Sequence, residues 1–255
     1  MQKNNGNNGN PNWVEMLKGW RKEKAEQYAK AILSPPTATT LYKALPRPGV
    51  VLIMGHRRKG KTGLAHQAAN LYHKVYGAPA VVHLPHIPEP LRKKIQKLLP
   101  SWMKVVDRVS EWPKDAVVIY DEAAQSAHAR RSQSNEAIAL DNLVGISGQR
   151  NQLLIFISHH SRKIDLNLVH EVDRILWKEP TFAHQMFERD ELSDFTMRAF
   201  DFFQAIPRAR ARLKATLVMD FQRLEFKKCD NVLAPWWSDD LSRLFQDIQV
   251  GKGRN

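Results

Sequence analysis

Apolar and polar positions along this chain follow two periods. From Gly49 onward, short unbroken apolar runs alternate with stretches in which apolar residues recur every three or four positions. Unbroken short runs suit strands buried on both faces, and the longer spacing suits helices that cover them. The predicted strands are "GVVLIM" (49–54), "AVVHL" (80–84), "MKVVD" (103–107), "DAVVIYDE" (115–122), "QLLIFISHH" (152–160) and "DRILWK" (173–178). Helices are predicted over 61–76, with Gly77 as its stop, over 89–99 and over 135–147, with a polar helix–loop region at 123–134. The alternation predicts an α/β fold with a mainly parallel sheet flanked by helices.

The flanks differ from this core. Residues 1–12, "MQKNNGNNGNPN", are Asn/Gly-rich and too poor in apolar side chains to order themselves. Trp13, Met16, Leu17 and Trp20 then fall on one stripe of a helix predicted to run to Leu33, where "SPPTATT" breaks it. Residues 13–48 thus read as an N-terminal helical arm and linker, docking on the core or on a neighbouring subunit. The core spans 49–180. Residues 181–255 read as a C-terminal extension of the sheet or a lid: a helix over 184–206, one or two strands within 208–227 and a terminal helix over 237–250.

Composition narrows the function. The chain has 39 Lys and Arg against 26 Asp and Glu, a net charge of +13, and so a polyanion, most commonly nucleic acid, is the expected partner. The longest apolar runs, "VVLIM" and "LLIFI", are far too short to span a bilayer, and no secretion signal opens the chain. A single cysteine, Cys229, excludes an internal disulfide framework and fits a reducing compartment, so a cytoplasmic location is expected. The ten histidines show no paired helical spacing of the kind that binds transition metals.

The chemistry sits at the ends of the predicted strands. "GHRRKGKT" spells Gly-x4-Gly-Lys-Thr between a buried strand and an amphipathic helix, the context of a loop that wraps nucleotide phosphates. Gly55, His56, Arg57, Arg58, Lys59, Gly60, Lys61, Thr62 and Gly63 are the candidate phosphate-binding residues. Glycines let successive N–H groups converge on phosphate oxygens, Lys61 reaches the β- and γ-phosphates, and Thr62 offers its hydroxyl to Mg²⁺. The four basic residues from His56 to Lys59 are not needed for a cradle of backbone N–H groups, so their side chains are expected to point outward, towards a neighbouring subunit, the C-terminal segment or DNA. Asp121 ends a buried strand and is the second metal ligand; Glu122 beside it is the candidate base for an attacking water. Ser158 and His159 end the next strand, where a polar pair could sense a γ-phosphate. Arg150 precedes that strand, at its other end, and could reach a neighbour's nucleotide but not its own.

With these motifs in place, residues 49–178 resemble the FtsK/HerA superfamily of P-loop DNA-pumping ATPases, which includes viral genome-packaging ATPases. The residues that carry the resemblance are "GHRRKGKT", "VVIYDE" and "GQRNQLLIFISHH" followed by "VDRILWK". It implies a RecA-like core, a hexameric ring, and the Ser158–His159 strand lying between those of Gly55 and Asp121. By motif position His159 stands where the family has a sensing Gln, and Arg150 matches an arginine near the subunit interface. Gln149 interrupts the family's Gly-Arg pair. Zonula occludens toxin-like ATPases share the pattern but usually carry a membrane span, which is lacking here.

These features, with the resemblance, predict a Mg²⁺-dependent ATPase that moves or packages DNA as a ring, in the cytoplasm or with a virion, with viral or conjugative assembly proteins as further candidate partners. Two other classes stay open: a nucleotide or small-molecule kinase, and a nucleotide-gated DNA-binding adaptor without turnover. "PRARARLK" places Arg208, Arg210, Arg212 and Lys214 at period two, one face of an extended segment that either tracks a phosphate backbone or guards an edge strand. "HARR" (Arg130, Arg131) is a second candidate contact, and "LRKK" (91–94) reads as a solvated helix face.

Overall fold

The computed structural model describes residues 13–85, 87–121, 142–161, 164 and 166–250, without the side chains of 13–21 and 246–250. The tryptophan stripe of 13–20, Glu122, the polar region 123–134, Arg130, Arg131 and most of the helix expected over 135–147 lie outside that description.

The strands are β1 (Thr37–Ala38), β2 (Gly49–Met54), β3 (Ala80–His83), β4 (Met103–Val106), β5 (Val117–Asp121), β6 (Leu153–Ile157), β7 (Arg174–Trp177), β8 (Ala215–Asp220) and β9 (Glu225–Asp230). The helices are α1 (Trp13–Leu33), α2 (Lys61–Tyr76), α3 (Glu89–Leu98), α4 (Leu166–His170), α5 (Phe182–Phe187), α6 (Asp190–Gln204), α7 (Ala209–Lys214) and α8 (Asp239–Val250). All nine strands form one sheet in the order β1-β9-β8-β7-β2-β6-β5-β3-β4. The six from β7 to β4 run parallel, and β8 is antiparallel to both its neighbours. β6 lies between β2 and β5, where the motif resemblance put it, and the fold is a RecA-like P-loop core.

The unbroken apolar runs follow from a sheet covered on both faces. In β2, Val51 and Ile53 face the layer of α2 and α3, while Val50, Leu52 and Met54 face the layer of α6. Matched registers bring the carboxyl ends of the central strands to one edge: Ile53 and Asp121 each pair with Ile157, and Met54 pairs with Trp177. The site forms along this edge, as in other open α/β sheets.

The C-terminal third departs from expectation twice. The single helix expected over 184–206 is two, α5 and α6, broken at Glu188–Arg189. Glu188 is buried there, accepting hydrogen bonds from the Ser161 hydroxyl and the Arg189 N–H, and the Arg189 guanidinium donates to the Ile164 carbonyl at 2.6 Å. The extended basic segment is in fact a helix: α7 holds Arg210, Arg212 and Lys214, with Arg208 as its N-cap. Ala, Arg, Leu and Lys are all good helix formers, and none of the α7 side chains is buried to select a strand. The strands follow it, with β8 fully buried and β9 half-exposed. At the other end, Tyr28 of α1 packs edge-on against Phe195 of α6 and donates to Asp194 at 2.9 Å.

Candidate phosphate-binding site

The loop between β2 and α2 is shaped by two glycines. Gly55 has φ +139°, and a Cβ there would run into the Lys178 carbonyl oxygen. Gly60 caps α2 in the left-handed region at φ +83°. A side chain is sterically excluded at the first position and strained at the second. Arg58 also takes positive φ, 59°, so the loop holds backbone torsion that L-residues normally avoid.

Lys61 is buried at the first turn of α2, and its ammonium donates to the carbonyls of Gly55 (2.9 Å) and His56 (3.0 Å). It also lies 2.8 Å from His159 Nδ1. An ammonium has no lone pair, so Nδ1 accepts and the neutral imidazole carries its proton on Nε2. Thr62 donates its hydroxyl to the Asp121 carboxylate at 3.1 Å, and Asp121 is buried. A hydroxyl and a carboxylate side by side at the mouth of a phosphate loop suit a hard divalent cation such as Mg²⁺. Lys61, Thr62, Asp121 and His159 therefore meet at one place, although 98 residues separate Lys61 from His159. Ser158 donates its hydroxyl to the His160 carbonyl at 2.8 Å and shapes the turn that presents His159.

Arg150 is not brought to this group. It precedes β6 at the opposite edge of the sheet, where Nη2 donates to the Trp112 carbonyl at 2.6 Å and Nε to Gln152 at 3.3 Å.

The basic rim divides. Arg57 and Arg58 are exposed. Lys59 turns to the carboxylate of Glu179, within the core span, at 2.7 Å. His56 packs edge-on to His184, whose ring stacks on His160 at 4.1 Å between centroids. Burial, then the charges of Lys61, Lys59 and Arg57, lower the pKa of His56; burial, then His160 and His56, push His184 down to about 4. Both rings are thus held neutral beside a cationic loop.

Lys178, Glu179 and His184 lie beside the loop, and periodicity did not reveal them. Lys178 is fully buried, and burial pushes its pKa down to about 7. Its three protons have three oxygen acceptors: the carbonyls of Leu213 and Ala215 at 2.6 Å each and Asn231 Oδ1 at 2.8 Å. The available signal was a Lys-Glu pair directly after an apolar strand, which reads as a solvated strand end.

A Gly-x4-Gly-Lys-Thr loop after β2, an acid at the end of β5 and β6 between them have the layout of a RecA-like fold. Among solved structures, the chain is similar to the DNA-packaging ATPase B204 of Sulfolobus turreted icosahedral virus, at 15% identity and TM-score 0.49, over 73% of this chain and 100% of that one. It is equally similar (TM-score 0.49) to the genome-packaging NTPase B204 of Sulfolobus turreted icosahedral virus 2 in complex with AMPPCP, at 13% identity over 73% and 99%. A KaiC-like protein of Pyrococcus horikoshii matches at 17% identity and TM-score 0.37, over 52% of this chain and 73% of that one. These are likenesses of fold. No protein-family model matches the chain, and no curated protein does either. Among the described residues no helix is long and apolar enough to cross a membrane.

Proposed function

We propose that the chain binds ATP with Mg²⁺, hydrolyses it, and couples turnover to moving or packaging DNA as a subunit of a ring. The observation that carries the reading is the Thr62 hydroxyl bonded to the Asp121 carboxylate beside Lys61, at the mouth of a loop with no side chain at Gly55. Lys61 holds the β- and γ-phosphates in place of its present carbonyl partners, and Thr62 and Asp121 hold the metal. Bound Mg²⁺ supplies charge neutralisation on the phosphate oxygens. Glu122, the next residue after Asp121, orients and deprotonates the attacking water. His159, bonded to Lys61 before nucleotide arrives, releases it to the γ-phosphate and so senses occupancy. The net charge of +13 supports DNA as the partner, and the reading places the protein in the cytoplasm or with a virion.

The test is ATP hydrolysis by the purified protein, with and without DNA, for wild type, Lys61→Ala and Glu122→Gln. The expected result is DNA-stimulated turnover, lost in Lys61→Ala together with nucleotide binding. In Glu122→Gln turnover falls about 10²-fold or more with binding retained, the size of a general-base contribution. Nucleotide binding without turnover in wild type would replace the motor with an adaptor. Phosphate recovered on an added acceptor would replace it with a kinase.

A further inference from the structure

Glu179 joins the phosphate loop to a basic helix far away in the chain. The backbone after β7 runs beside the loop: Lys178 N–H donates to the Met54 carbonyl at 2.7 Å, and His56 N–H to the Glu179 carbonyl at 3.0 Å. The Glu179 carboxylate then lies between two cations, with one oxygen 2.7 Å from Lys59 of the loop and the other 2.9 Å from Arg212 of α7. Lys178 continues the connection, because its ammonium is held by the carbonyls of Leu213 and Ala215 at the end of α7. Residues 208–214 contain four cations and no acid, and Arg208, Arg210 and Lys214 are exposed. A short helix with exposed cations on several sides suits a phosphate backbone, which takes charge without demanding one fixed side-chain pattern.

We propose that α7 is a nucleic-acid contact, and that Glu179 links it to the phosphate loop so that nucleotide and nucleic acid weaken each other's binding. The proposal rests on the reading above in that the loop takes a triphosphate. One carboxylate serves two cations, and what one loses the other gains. A triphosphate in the loop draws Lys59 towards itself, leaving Glu179 to hold Arg212 more firmly against the protein and away from a phosphate backbone. Nucleic acid that takes Arg212 leaves Glu179 to Lys59 and holds that charge out of the loop. Linkage requires the two effects to be the same factor. Glu179 is a positioning residue here; it touches neither ligand.

The full chain is titrated with a fluorescent non-hydrolysable ATP analogue plus Mg²⁺, with and without a saturating labelled DNA duplex, and then in the reverse order. For wild type each ligand is expected to raise the Kd of the other by the same factor, about fivefold or more, the lower range of allosteric coupling. Glu179→Gln is expected to bind both ligands with that factor below about twofold. Arg212→Ala opens the bridge from the other side and gives the same loss of coupling, which covers the case of a Glu179→Gln chain that does not fold. Arg210→Ala, outside the bridge, weakens duplex binding and lowers the slope of log affinity against log salt by about 1, with coupling intact. Wild-type coupling in folded Glu179→Gln, or unchanged duplex affinity and salt slope in Arg210→Ala, overturns the proposal. No nucleotide binding by wild type defeats the functional reading itself. Nucleotide binding without duplex binding defeats the proposal and the DNA part of that reading, and leaves the phosphate site standing.

Discussion

His66 is completely buried one turn into α2, with Trp237, Phe245 and Trp236 around its ring. Its Nδ1–H donates to the Thr62 carbonyl at 2.9 Å, and Nε2 has no hydrogen-bond partner among the described residues. Burial pushes its pKa down to about 4, only partly opposed by the bond to Thr62. The unfolded imidazole titrates near 6.5, so between about pH 6.5 and 4 the unfolded chain binds a proton that the native chain does not. The stability contributed is therefore full above about pH 6.5 and is lost as pH falls, by about 3 kcal/mol at the lower end. His184, also near 4, adds loss of the same sign. Urea unfolding between about pH 7.5 and 4.5 is expected to show this decline, and His66→Phe, which keeps a ring among the aromatics, is expected to flatten it. A variant with the full wild-type slope would remove His66 as the cause. None of this was legible in the sequence, where His66 is one polar residue in a helix; the aromatics that bury it lie 170 or more positions away.

At the scale of elements, legibility followed burial. β2, β3, β5, β6 and β7 are covered on both faces, so packing required apolar residues at consecutive positions and the runs stood out. The Gly-x4-Gly-Lys-Thr pattern and the acid ending β5 stood out for a related reason, since the turn after β2 and the end of β5 are both set by local backbone geometry. α7 was misread because alternating Arg and Ala mimic a strand face while the residues themselves prefer a helix, and no burial pattern arbitrates. The break between α5 and α6 was hidden because its cause is tertiary, the buried Glu188 with Ser161 and Arg189. The same applies to Lys178, which binds β7 to the segment running from α7 through β8 to Asn231. Its replacement by Met takes a donor from the buried Ala215 carbonyl, from the more exposed Leu213 carbonyl and from Asn231 Oδ1, which keeps the Thr216 hydroxyl at 2.9 Å. Lys178→Met is expected to destabilise by roughly 1–3 kcal/mol, the cost of leaving the buried Ala215 carbonyl without its donor. The urea midpoint measures it; a shift worth under about 1 kcal/mol would mean that water replaces the ammonium.

At the scale of the whole molecule, the position of Arg150 is decisive. Asp121 and His159 lie at the carboxyl edge of the sheet, and Arg150 lies at its amino edge, before β6, so no side-chain rotation carries its guanidinium to the β2–α2 loop of its own chain. In a ring of head-to-tail contacts, one subunit's amino edge can face the next subunit's carboxyl edge. If Arg150 acts there, Arg150→Ala keeps nucleotide binding and loses turnover by about 10³-fold or more, the range for an arginine that stabilises transferring phosphate. Its bond to the Trp112 carbonyl gives a competing, structural role, which would lower stability and leave turnover per folded molecule close to wild type. Mixing decides between them. Arg150→Ala subunits keep Glu122, and Glu122→Gln subunits keep Arg150, so in a random equal mixture about one interface in four has both. Two inactive proteins are therefore expected to recover about a quarter of wild-type turnover when mixed and reassembled. A mixture as inactive as its parts, with assembly confirmed by light scattering, would confine Arg150 to the fold of its own chain.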